Sequence, residues 1–240
     1  MNRKVLLAGI GLLLSLGVVI SGCGSESDFA SSGGSFQNAQ AGPVPSVSST
    51  PQSALDELKA GNARYVAGTN QQLFRTSDRP LILNSTQAPI AMILSCADSR
   101  VTPELAFDQA WGQLFVVRVA GPVADQNGVG SFEFGHTVLG SKLLVVLGHE
   151  QCGAVNAALG QQLPAGNLGA LVQLIVPAAE SVKGQSGDPQ DNAVRANVKL
   201  QIERIRGLSS VLDQAIRGGS LAVQGAVYHF DTGEVEFLTL

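Results

Sequence analysis

An α/β fold, a central and mainly parallel β-sheet flanked by helices, is predicted by three features of the sequence. Short apolar runs recur at residues 90–94, 114–119, 143–148 and 221–228, each with the length and composition of a strand buried on both faces. Longer stretches with helical spacing of apolar residues lie between them, and strands alternating with helices imply βαβ units. The 240 residues are enough for one sizeable domain with a tail, and no internal repeat divides them.

The elements follow in chain order. Met1-Asn2-Arg3-Lys4 is a basic start, and the apolar run over 5–20 is too short and Gly-rich for a membrane span, so residues 1–22 read as an export signal. Its end, Ile20-Ser21-Gly22-Cys23, resembles the lipobox of bacterial lipoproteins, which implies that Cys23 carries lipid in the mature chain. Residues 23–50 are mostly Ser, Gly, Ala, Gln and Pro and read as a flexible tether; the folded domain is expected over 51–240. Over 53–65, Ala54, Leu55, Leu58 and Tyr65 mark an amphipathic helix with Ser53 at its N-cap. Further helices are expected over 129–139, 154–159, 168–182, 193–205 and 209–216, with Gly187-Asp188-Pro189 as a turn.

Removing Arg3 and Lys4 from the 15 basic residues leaves 13 against 19 acidic ones, a net charge near −6. With no basic cluster, nucleic acid is excluded as a partner, and membrane attachment would run through lipid, not charge.

The chemistry concentrates in Cys96-Ala97-Asp98-Ser99-Arg100 and His149-Glu150-Gln151-Cys152. Each piece follows an apolar run, so both fall where a strand ends, the edge at which open α/β sheets bind ligands. Two thiolates and one imidazole supply three of the four ligands of a tetrahedral zinc and leave one position open, as a catalytic zinc requires. Asp98 and Arg100 alternate from Cys96 on one side of an extended segment, where a guanidinium can grip a carboxylate through two parallel hydrogen bonds. Only three Cys are present, so none is left over once Cys23 is lipidated and Cys96 and Cys152 bind metal.

This arrangement resembles the β-class carbonic anhydrases, whose signature is Cys-x-Asp-x-Arg followed by His-x-x-Cys. The likeness runs from Ser53 to Leu240 and includes Leu58-Lys59-Ala60-Gly61-Asn62-Ala63-Arg64-Tyr65, Val101-Thr102-Pro103-Glu104, Leu114-Phe115-Val116-Val117-Arg118, Cys152-Gly153-Ala154-Val155 and Gly225-Ala226-Val227-Tyr228. It implies one Zn2+ per chain on Cys96, His149 and Cys152, and a catalytic pair in Asp98 and Arg100. In a closed state Asp98 itself binds the metal when Arg100 releases it. It further implies that Gln87 contacts bicarbonate, that Phe115 lines the same pocket, and that the chain forms a homodimer or higher even-numbered homo-oligomer with its N-terminal helix extending onto the partner.

Three positions depart from family patterns: Pro122 replaces an Asn, Phe134 a Tyr, and Ile93 the Trp of bicarbonate-inhibited members. His136 and His229 lack the company of a Cys and read as ordinary surface or core residues. The expected function is reversible hydration of carbon dioxide to bicarbonate and a proton at the outer face of a bacterial membrane. Two thiolates weaken zinc as a Lewis acid, so activity should rise toward alkaline pH. Two alternatives keep the metal: hydrolysis of carbon disulfide or carbonyl sulfide, and a low-turnover zinc lipoprotein that binds bicarbonate or acts as a scaffold.

Overall fold

The computed structural model describes residues 50–71, 87–160, 163 and 165–240. The expected signal over 1–22, the lipidated Cys23 and the tether up to residue 49 lie outside the described residues. Among the described residues no helix is long and apolar enough to cross a membrane.

A five-stranded sheet forms the centre, in the order β2-β1-β3-β4-β5. β1 (Ala91–Ser95), β2 (Leu114–Arg118), β3 (Leu143–His149) and β4 (Ala222–Tyr228) run parallel, as predicted, and β5 (Val235–Phe237) returns antiparallel to β4. Every residue of β1 and β3 is buried, which explains their unbroken apolar runs. Alternate residues serve opposite cores. Met92, Leu94, Leu144 and Val146 face α3 (Gln126–Thr137), α4 (Gly153–Leu159), α5 (Gly166–Gln173), α6 (Val176–Ser181), α7 (Pro189–Leu208) and α8 (Ser210–Arg217). Ala91, Ile93, Leu143, Val145 and Leu147 face α1 (Pro51–Val66) and α2 (Pro103–Ala106). Full burial of each Leu, Ile or Val contributes about 1.5–3 kcal/mol against exposure.

Several boundaries differ from expectation for identifiable reasons. Thr50, not Ser53, caps α1: its hydroxyl accepts from Ser53 N at 3.0 Å, Ser53 Oγ accepts from Thr50 N at 3.1 Å, and Pro51 needs no N–H partner at the first position. The stretch 168–182 is two helices, because Pro177 has no N–H to continue the ladder from Gln173. The turn at 187–189 is the start of α7, with Asp188 Oδ1 accepting from Gln190 N at 2.8 Å and Pro189 opening the helix. α2 and β5 are too short for periodicity to betray them.

α1 is stitched to its own chain. Ala54 and Leu58 are fully buried, Asn62 donates to Ala106 O and Gly233 O at 2.9 Å each, and its Oδ1 accepts from Val235 N at 2.8 Å. A Cβ on Gly61 would lie 1.8 Å from Phe107 O, so only glycine allows this approach.

Candidate metal centre

β1 and β3 are neighbours with Ser95 level with Leu147, so Cys96 and His149 emerge together at the C-terminal edge of the sheet. Gln151, with φ +54°, turns the chain back so that Cys152 becomes the N-cap of α4. The ligand atoms of Cys96, His149 and Cys152 all lie within 4.8 Å of one another, and the three residues are 5, 0 and 2 % exposed.

The electrostatics suit a metal. His149 Nδ1 is 2.8 Å from Glu150 O, which leaves Nε2, buried and beside the two thiols, as the nitrogen available to a metal; among the described residues it makes no hydrogen bond of ordinary geometry. A hydrogen bond from Cys152 is the main influence pulling the Cys96 thiol down, and His149 and the amides of Asp98 and Gly121, each 3.4 Å from Sγ, assist against burial. The resulting Cys96 thiolate, together with burial, pushes the Cys152 thiol up, opposed by the Val155 and Ala154 amides at the start of α4. Two buried thiols and a buried imidazole nitrogen whose ligand atoms lie within 4.8 Å of one another are the donor set that a borderline-soft divalent ion takes, and they fit zinc.

Asp98 and Arg100 form the predicted fork. Arg100 Nε donates to Asp98 Oδ1 at 3.0 Å and its terminal nitrogen to Oδ2 at 2.7 Å, while the Arg100 amide adds a bond of 2.9 Å to Oδ1. Arg100 thereby holds the Asp98 carboxyl well below the usual carboxylate range, against partial burial. Asp98 Oδ2 stands 3.9 Å from His149 Nε2, so the carboxylate borders the ligand cluster while engaged by Arg100. Arg118 braces the loop, donating to Cys96 O at 3.0 Å and to Asp98 O at 2.5 Å.

Gln87 and Phe115 are not brought to the triad of their own chain. Phe115 lies level with Met92, four residues before Cys96 and so about 13 Å along the strand; its ring centroid is 6.3 Å from that of Phe134. Gln87 is exposed ahead of β1, at the end of the strand opposite the triad. His136 is structural, its Nδ1 2.8 Å from Ser141 O, whereas His229 lies 3.3 Å from both Glu150 and Glu236 in an ionic network with Arg195.

Other supports were not anticipated. Asn197 Nδ2 donates to Gly121 O at 2.8 Å, Gln201 Nε2 donates to Asn197 Oδ1 at 2.9 Å, and Gln201 Oε1 accepts from Ala124 N at 3.0 Å. These two residues of α7 pin the buried segment 121–124, which carries Pro122 and one of the amides facing Cys96. Their signal is a polar pair four apart on a stripe otherwise of Ala, Val and Ile. Glu150 is a further support: its Oε1 accepts from Phe230 N at 2.6 Å.

Comparison with known proteins points to one family. A family model described as carbonic anhydrase matches residues 91–235. Carbonic anhydrase 2 of Mycobacterium tuberculosis is 40 % identical over 187 residues, 76 % of this chain and 90 % of the relative. A carbonic anhydrase of Pseudomonas aeruginosa is 33 % identical over 185 residues, 70 % of this chain and 78 % of the relative. Among solved structures, the β-carbonic anhydrase of Coccomyxa in complex with acetazolamide is 29 % identical, with a TM-score of 0.60 over 78 % of this chain and 82 % of that one.

Proposed function

The chain belongs to the β-class carbonic anhydrases, carbonate dehydratases that interconvert carbon dioxide and bicarbonate, and we propose that it does so with one zinc per chain at the outer face of a bacterial membrane. The observation that carries the catalytic reading is the juxtaposition of the buried Cys96, His149 and Cys152 with a carboxylate locked by arginine. Cys96, His149 and Cys152 would hold the metal, which when bound supplies a Lewis acid that makes water nucleophilic near neutral pH.

The chain's own residues do the rest. Held ionised by Arg100, Asp98 can only accept hydrogen bonds, so it would accept one from the attacking group, whose proton stays on its own oxygen, and turn that group's lone pair toward carbon dioxide. The Glu150 carbonyl fixes the His149 ring and its tautomer. The export signal and the lipobox ending at Cys23 support the location.

Stopped-flow hydration of carbon dioxide by the purified, zinc-quantified chain, beside Asp98→Ala and Cys152→Ser, tests the reaction. Turnover in the parent that is lost in both variants is expected; a zinc-loaded parent silent across the pH range overturns the reading. Membrane fractionation of the chain and of Cys23→Ala tests the anchor, with release of the variant to the soluble fraction expected.

A further inference from the structure

We propose that Phe230 is a positioning residue: its ring is the platform on which Arg100 rests while gripping Asp98, and Glu150 clamps that platform in place. Arg100 is the most exposed member of the site, with 55 % of its side chain accessible, whereas Asp98 is 17 % exposed. An exposed guanidinium that makes two directed bonds gives up rotamer freedom, and something beneath it must offset that loss. The Phe230 ring lies there, its centroid 4.3 Å from Arg100 Cζ, within the range of a cation–π contact.

The same ring makes T-shaped contacts with the rings of His149, centroids 5.4 Å apart at 67°, and Tyr228, 5.6 Å apart at 87°. One side chain thus bears on a metal ligand and on the catalytic pair together. Its backbone is tied to the ligand strand, because Glu150, next to His149, accepts the Phe230 amide through Oε1 at 2.6 Å and places Oε2 3.3 Å from His229 Nδ1. The contacts close a circuit from His149 through Glu150, Phe230 and Arg100 to Asp98. Arg100 cannot release Asp98 by swinging outward without leaving the ring, so Phe230 biases the pair toward the engaged arrangement.

The role rests on the anhydrase reading only for its kinetic readout. Phe230→Leu removes the ring and keeps an apolar side chain against Tyr228; Phe230→Tyr keeps the ring. In the full chain, the Arg100 Nε–H resonance should lose its ring-current displacement in the Leu variant and keep it in the Tyr variant, with or without metal. In the cobalt-substituted protein, the d–d absorption should change in the Leu variant as Asp98, released by Arg100, reaches the metal. Turnover should fall about fivefold at nearly constant KM and be restored by Tyr. An unchanged Arg100 resonance and d–d band in Phe230→Leu would overturn the proposal, as would equal losses in the Leu and Tyr variants. A parent without turnover whose two spectroscopic signals still respond to the ring would retire the reaction and leave the positioning role standing.

Discussion

At the scale of single residues, the site is governed by which proton sits where. Asp98 is depressed by the Arg100 fork, so the carboxylate form is fully present above the ordinary carboxylate pKa and is lost only as pH falls through the depressed value. Asp98 therefore contributes no bend in the range where the enzyme works, and the parent should show one limb rising toward alkaline pH. In Arg100→Ala the carboxyl returns toward its ordinary pKa, so activity should drop about tenfold or more and gain an additional loss on the acid side, which kcat measured against pH would reveal. Arg100→Lys keeps the charge without the fork and should fall between the two. The cluster of Cys96, His149 and Cys152 and the Asp98–Arg100 fork were legible in the sequence because their spacing within each loop carries the geometry. Phe230, 130 residues from the guanidinium it supports, was not, since only the return of the chain after β4 brings it there.

At the scale of elements, helix α7 does for the site what no motif announces. Gly148 and Gly225 let it approach the sheet, since a Cβ at either would lie 2.8 Å from a Val198 methyl, and that approach delivers Asn197 and Gln201 to the segment after β2. Asn197→Leu would leave Gly121 O buried without its partner and should cost about 1–3 kcal/mol. Gly121→Ala faces two penalties, a φ of +67° and a Cβ 2.5 Å from Ile175 Cδ1, and should cost about as much or more. Both variants loosen the amide that points at Cys96, so urea titration should show lowered stability and competition with a chelator should show faster zinc loss. Destabilisation with zinc retention unchanged would mean that the segment supports the core and not the ligand. The strands were readable as apolar runs and the helices as periodic stretches. The break before α6 and the true N-cap of α1 turn on Pro177 and Thr50, single residues that a periodicity window averages away.

At the scale of the molecule, the site of one chain is incomplete on the reading drawn from its sequence. Gln87 and Phe115 were expected beside bicarbonate, yet both lie toward the far end of β1 and β2 from the triad of their own chain. Among the described residues β2 is the edge strand of the sheet and partly exposed along its length, and Phe134, whose ring is near that of Phe115, is 44 % exposed. Parallel strands are rarely left uncovered, and an unpaired edge with apolar neighbours invites a second copy. A two-fold pairing across this flank would let each chain lend Gln87 and Phe115 to the triad of the other. Light scattering should then give an even-numbered oligomer. The decisive experiment co-expresses Asp98→Ala with Gln87→Ala, each impaired alone. If Gln87 serves the neighbouring copy, the mixed pair holds one site with its own intact triad and an intact Gln87 from its partner, and activity should recover to about a quarter of the parent's sites under random pairing. If Gln87 serves its own chain, every site in the mixture carries one of the two lesions, and activity stays at the level of the variants.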